Sequence, residues 1–416
     1  MTQAVPKAIA VAKLLDSTLR ADRGRLLAIL AANLRDLSLA EDALQEAAVS
    51  ALSHWGRTGV PASPQGWLLT VARRKALDRL RGARRDARKA EALAQLIVRE
   101  EAEPEDIPDE RLRLIFVCCH PALEPKSRVA LTLRTVCGLS TTEIARAFLD
   151  HEPTMGQRIS RAKAKIAGAG ISFFVPTAEH WPARLDAVLT TIYLIFTTGY
   201  LAATEGPRDL CLEAEYLMRV IDRLRPADPE IEGALAMILL TAARRAARIG
   251  ADGASLPLSE QDRSLWDQAQ IAEGRALLAR AVARRSPGPF QIKAAIADCR
   301  LGEGGPDWPQ IAALYAALFR FEPTPVVSLN AAVAVAEAGD AARGLAIVEG
   351  LAADLGDYQP WHAARANLLA SAGKHAEAAD AYRRAIAMAS GRAEVLFLEK
   401  RLAALLLTDG RDACVG

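Results

Sequence analysis

The chain has 416 residues, 51% of them hydrophobic and 25% charged, the composition of a well-cored globular protein with room for several domains. The longest strongly apolar run, Ala187 to Phe196, is about half of the roughly 20 residues a membrane span needs, and Lys7, Lys13 and Asp16 interrupt the amino terminus. Neither a signal peptide nor a membrane span is expected, the apolar run reading as a buried helix, and the six scattered cysteines, without disulfide spacing, fit a reducing, cytoplasmic location. The net charge of +2 hides an asymmetry: residues 1–170 carry 27 basic and 20 acidic side chains, residues 171–416 carry 25 and 30.

Apolar residues recur at three- and four-residue spacing in Leu26–Leu34, Ala43–Leu52 and Trp67–Leu80, and no long alternating pattern occurs, so the expected fold is all-α. Gly56 to Pro64 (GRTGVPASP) reads as a turn-rich loop between two helices. From Arg73 to Lys89, nine basic residues (Arg73, Arg74, Lys75, Arg79, Arg81, Arg84, Arg85, Arg88 and Lys89) face only Asp78 and Asp86. Such a stripe is the electrostatic footprint of a polyanion partner, because each neutralised phosphate releases counterions; a solvated helix face is the plain alternative. Glu100 to Glu110 is acidic, holds two prolines and lacks an apolar face, a linker composition. The resulting division is a first domain over 1–95, an acidic linker over 96–106, a second domain over 107–170 and a helical region over 171–416.

Cys118-Cys119-His120 invites a metal reading, but zinc takes four ligands in separated pairs and no CxxC or HxxxH partner exists. Buried thiols are expected there, with no metal and no cofactor.

Gly138 to Ala145 (GLSTTEIA) places Ser140 as an N-cap with Glu143 three residues on, where it can return the capping-box bond. Ile144, Ala145 and Phe148 would form the buried face of a short helix. Leu149 to Pro153 is the turn, with Pro153 suited to a helix's first position. A second helix then carries Thr154, Gln157, Arg158, Arg161, Lys163 and Lys165 over an apolar face of Met155, Ile159, Ala162 and Ile166. This is a helix-turn-helix whose second helix can enter a major groove, polar residues at base edges and later cations on phosphates. Gly156 within it costs about 1 kcal/mol relative to alanine.

Farther on, Gly305, Gly339 and Gly373 recur every 34 residues. Gly344, Val348 and Leu351 match Ala378, Tyr382 and Ala385 in offset, and Leu314 and Ala317 repeat two of the offsets upstream. A 34-residue helix-turn-helix period is the tetratricopeptide signature, although Ala-rich hairpins of equal length imitate it. Tyr193 to Tyr200 and Trp266 to Glu273 are candidate contact surfaces, with buried core as the stronger reading. No phosphate-binding loop or convergent histidine pattern is present, and no enzyme activity is expected.

Together these residues carry a family resemblance. LAEDALQE over Leu39–Glu46, WLLTVAR over Trp67–Arg73 and LDRLR over Leu77–Arg81 resemble region 2 of the extracytoplasmic-function sigma factors of the sigma-70 superfamily. Residues 121–166 resemble region 4, and Asp262-Arg263-Ser264 with Pro325 to Asn330 resemble the subgroup with a tetratricopeptide-like C-terminal extension. The resemblance implies that Glu41, Asp42, Gln45 and Glu46 bind the clamp helices of the largest subunit of core RNA polymerase. It implies that Trp67, Arg73, Arg74, Lys75, Arg79 and Arg81 engage the −10 element of promoter DNA. Thr154, Gln157, Arg158, Arg161 and Lys163 would engage the −35 element. Two positions depart from the family pattern: Arg74 replaces a common asparagine, and Ala47 and Ala48 stand where a phenylalanine is usual. Residues 171–416 are expected to fold against regions 2 and 4 and modulate them, and to offer a site for a regulatory protein. The competing readings are a helix-turn-helix regulator with a ligand- or protein-sensing helical domain, which leaves the first 90 residues unexplained, and a tetratricopeptide scaffold with vestigial DNA-binding parts.

Overall fold

A computed structural model describes residues 4–82, 108–148, 150–169, 171, 181–201, 209–389 and 391–412. Arg84, Arg85, Arg88 and Lys89 of the basic run, the acidic linker and Leu149 of the expected turn lie outside the described residues. Among the described residues the regular structure is helical, with one isolated bridge, Ile249 to Ser255, and no strand. The chain divides into two compact units, Met1–Ile195 with Gly206–Asp209, and Phe196–Glu205 with Leu210–Gly416.

The first unit opens with α1 (Ala4–Leu34), α2 (Leu37–Thr58) and α3 (Pro64–Gly82), each packed on the other two. Arg35 adopts a positive φ of 53°, and Asp36 caps α2 by accepting from the Leu39 amide at 3.0 Å, which turns the chain sharply between the first two helices. Helix α2 buries Ala40, Ala43, Leu44, Ala47, Ala51 and Trp55. Ala47, where a phenylalanine is usual, is fully buried. Ser63 starts α3, its Oγ accepting from Gly66 N at 3.2 Å.

Four further helices follow: α4 (Pro108–Cys118), α5 (Pro125–Thr135), α6 (Thr141–Ala147) and α7 (Glu152–Gly168). From Leu114 to Cys119 every side chain is buried, as in a helix surrounded by protein. Burial pushes both the Cys118 and Cys119 thiols up from their ordinary pKa. Helix α8 (Trp181–Leu201) buries Leu185, Val188, Leu189, Ile192 and Ile195, and its Arg184 donates to the Phe116 carbonyl of α4 at 2.7 Å. The boundary between the units falls inside α8, after Ile195.

In the second unit α9 (Leu210–Leu224), α10 (Pro229–Ala242), α11 (Gln268–Ala283) and α12 (Pro289–Cys299) are followed by α13 (Trp308–Phe319), α14 (Pro325–Glu337) and α15 (Ala341–Gly350). The short α16 (Ala352–Leu355) precedes α17 (Gln359–Ser371), α18 (His375–Met388) and α19 (Arg392–Asp412). From α12 to α15 and from α17 to α19, each helix packs on its predecessor, the pattern of a helical-repeat array. Helix α10 is the exception, buried along nearly its whole length between α11 and α12; its Glu232 is held by Arg280 and Arg284, each at 3.1 Å. Gly305, Gly339 and Gly373 all have positive φ (106°, 110° and 73°), so each supplies the left-handed turn before a helix. Gly344 lets α15 approach α14: a Cβ there would lie 2.6 Å from that of Ala336.

The first repeat departs from the sequence expectation. Ile311, Tyr315 and Leu318 point inward, while Leu314 and Ala317 are only half-buried. The cap explains the slip: Asp340 caps α15 directly after Gly339, whereas Asp307 caps α13 two residues after Gly305, which moves the register on by one. Of the two candidate contact segments, Ile195, Phe196 and Trp266 are core, and Glu273 is held by Arg219 at 2.6 and 2.9 Å.

Candidate nucleic-acid and protein interface

The helix-turn-helix is built locally. Gly138, with φ of 73°, reverses the chain; Ser140 Oγ accepts from Glu143 N at 3.1 Å, and Glu143 accepts from Ser140 N at 2.5 Å. Ile144 and Ala145 face inward, as do Met155, Ile159, Ala162 and Ile166 of α7. That inward stripe fixes the outward one. Thr154, Gln157 and Arg161 are exposed along α7, the first two in its first two turns. Arg158 turns aside to pair with Asp150 at 2.9 Å, bracing the turn, and the Asp150 carboxyl is held below its usual range by the His151 amide and by Arg158. Lys163 is half-buried and donates to Glu41 of α2.

On α2, Asp42 and Gln45 are exposed and Glu46 is half-buried, beside the exposed apolar Val49 and Leu52. Glu41 points to the opposite side and is buried. From α3, Arg79 reaches across to Asp42 at 2.5 Å and Glu46 at 2.6 Å, and Lys75 lines the same groove with Gln45 and Ser50. Hydrogen bonding to Asp42 raises the Arg79 pKa further. The structure thus brings a residue expected on DNA together with two expected on polymerase. Arg74 and Arg81 are exposed, and Arg73 is half-buried. Trp67 stacks on His54 with ring centres 5.5 Å apart and meets Trp55 edge-on, also at 5.5 Å, so it presents one flank of a fixed aromatic cluster. Val49, Leu52 and His54 were not singled out from sequence. Val49 carried a signal, being a large apolar residue off the buried stripe of α2, whereas Leu52 ends the apolar pattern read from the sequence and is exposed.

The first unit is thus helical, carries a helix-turn-helix and has on α2 a mixed acidic and apolar face. Sigma-70 region 2 matches residues 19–86, Sigma-70, region 4, matches residues 113–166, and a family of unknown function (DUF6596) matches residues 184–282. A protein of Rhizobium meliloti (strain 1021), described as uncharacterized, is 42% identical over 402 residues, which cover 93% of this chain and 95% of that protein. No solved structure matches the chain. The chain belongs to the extracytoplasmic-function type of the sigma-70 family, RNA polymerase sigma factors, with a C-terminal extension. The region 2 match accounts for the segment that a simple helix-turn-helix regulator leaves unexplained. Core RNA polymerase and promoter DNA are the partners these regions imply. Among the described residues no helix is long and apolar enough to cross a membrane.

Proposed function

We propose that region 2 lies within 1–95 and region 4 within 107–170, and that each supplies a separate grip on the transcription machinery. Asp42, Gln45 and Glu46, with the apolar Val49 and Leu52, form the face that core polymerase covers, while Glu41 lies on the opposite side of α2, paired with Lys163. Trp67, Arg73, Arg74, Lys75 and Arg81 capture the opened −10 element by stacking and phosphate contact, which shifts a melting equilibrium without enzymatic chemistry. Arg79 orders the α2–α3 groove as well as adding positive charge. Thr154, Gln157 and Arg161 read or clamp the −35 element, with Arg158 bracing the turn and Lys163 on phosphate. The residues from 196 onward form a cytoplasmic regulatory domain whose acidic surplus opposes the basic surplus of the first half.

The exposed Thr154, Gln157 and Arg161 stripe on the second helix of a helix-turn-helix whose first helix is closed by a capping box is the observation that carries this reading. Binding of core polymerase without DNA, followed by promoter-directed transcription in vitro, tests it. Gln157→Ala should lower promoter affinity by about 1–3 kcal/mol if it pairs a base edge, with polymerase binding unchanged. Arg161→Ala should weaken binding across sequences and flatten its salt dependence. A chain that never associates with core polymerase refutes the proposal.

A further inference from the structure

In the second unit three arginines and two tyrosines lie together. Tyr200, near the end of α8, stacks on Phe196 with ring centres 5.6 Å apart, and the Arg248 guanidinium lies over the Tyr200 ring, 3.8 Å from its centre. Arg248 also donates to the Tyr200 carbonyl, and Arg244 donates to the Tyr200 hydroxyl at 3.4 Å. Both arginines follow the end of α10. Arg300, directly after α12, donates to the Tyr315 hydroxyl of α13 at 3.2 Å. Among the described residues no carboxylate lies within ion-pair distance of Arg244, Arg248 or Arg300. Glu394 acts on Arg248 from farther away and is engaged by Gln359.

Arg244 is the centre of the imbalance. It is only 8% exposed, and its Nε is buried without a hydrogen-bond partner. Burial lowers its pKa; Tyr200 opposes that shift, and the like charges of Arg300 and then Arg248 add to it. Buried charges in folded proteins are paired, because an uncompensated one is costly to remove from water. The C-termini of α10 and α12 favour cations, but that effect fades within a turn and gives Arg244 Nε no acceptor.

We propose that Arg244, Arg248 and Arg300, with the Tyr200 and Tyr315 hydroxyls, form an anion site that takes a phosphate group, free or carried by a small molecule. A carboxylate would balance one of the three cations. A phosphate dianion balances two, and its oxygens accept from several guanidinium groups at once. Each tyrosine oxygen already accepts from an arginine, so its O–H is left to donate to the anion. Arg244 is buried and Arg248 and Arg300 are half-buried, which suits a compact anion; an extended nucleic-acid backbone calls for an exposed stripe of cations. Occupancy would join the ends of α8, α10 and α12 and stabilise this unit by mass action. Binding stands independently of the sigma-factor reading; only a regulatory consequence rests on it.

Calorimetric titration of the full chain with inorganic phosphate, and separately with glycerol phosphate, tests the site at an ionic strength held constant with sodium chloride. Saturable binding to a single site is expected, and the tighter probe tells whether the phosphate is free or esterified. Bound phosphate should slow hydrogen exchange in peptides covering residues 243–249 and 299–301. Arg300→Gln should weaken binding about tenfold or more, the worth of one charge-assisted hydrogen bond, while Arg300→Lys keeps the charge and much of the affinity. Arg244→Gln should abolish binding and, without ligand, melt at a higher temperature than the native chain, because it removes an uncompensated buried charge. If that variant does not fold, Arg300→Gln decides. No saturable binding by the native chain, or equal binding by the native chain and these two glutamine variants, overturns the site. Binding of an aspartate- and glutamate-rich peptide in place of phosphate overturns the phosphate assignment and points to an acidic protein segment. Polymerase binding is not read in this titration, so its failure leaves the sigma-factor reading standing.

Discussion

His120 shows how one residue's surroundings set a measurable property. Burial, and then the nearby Arg184 charge, lower its pKa from the ordinary 6.5 to about 4. The Ala122 amide donates to its Nδ1 at 3.1 Å, which requires that nitrogen to be unprotonated. As pH falls through about 6.5 the unfolded chain takes up a proton on this side chain, whereas the folded chain does so only near about 4. The unfolded state therefore binds more protons in that window, and stability is lost as pH falls across it. His120→Gln, whose amide oxygen can still accept from Ala122, should flatten the decline; urea unfolding at several pH values across the window measures it. An unchanged slope would assign the decline to other groups. The dipeptide before it, Cys118-Cys119, had invited a metal reading in the sequence, and the structure places both thiols inside the core.

At the scale of the element, α7 separates what local sequence encodes from what it does not. Its apolar stripe, and the capping box of α6 before it, were legible because each depends on residues within a few positions of one another. At Gly156, whose cost to a helix the sequence already showed, a Cβ would meet only the Thr141 methyl at 3.8 Å, an ordinary contact. Nothing in the structure requires glycine. Gly156→Ala should therefore stabilise the helix-turn-helix by about 1 kcal/mol, seen as a higher thermal midpoint. A fall instead would mean that α7 needs the freedom of glycine. The pairing of Lys163 with Glu41 was invisible by comparison, since 122 residues separate them and neither belongs to a spacing pattern. The first C-terminal repeat was legible in period but not in register, because one residue between Gly305 and its cap displaced the inward face.

For the whole molecule, the sequence suggested a boundary near residue 170, where the region 4 pattern ends. The compact first unit continues to Ile195. Composition offered no sign of this, because α8 reads as one uninterrupted apolar helix whose halves belong to different units. Its Leu185, Val188, Leu189, Ile192 and Ile195 are buried, each contributing about 1.5–3 kcal/mol relative to exposure. Arg184 and Thr191 further tie α8 to the Phe116–Cys119 segment. A fragment ending at 170 should thus unfold at lower temperature than one ending at 195, and should bind a dye for exposed apolar surface. Equal melting of the two would mean that α8 contributes nothing to the first unit. Only a fragment that keeps α8 to Ile195 gives a fair comparison with the full chain in transcription.

Gly24 sets the helix against its packing. Alanine there would favour the helical backbone of α1 by about 1 kcal/mol, but its methyl group would fall 2.2 Å from the Val136 carbonyl oxygen, a main-chain atom that cannot turn aside. The residue that improves the isolated helix would therefore cost the fold more than it gains, and the position measures how closely α1 must lie on the segment that enters the helix-turn-helix.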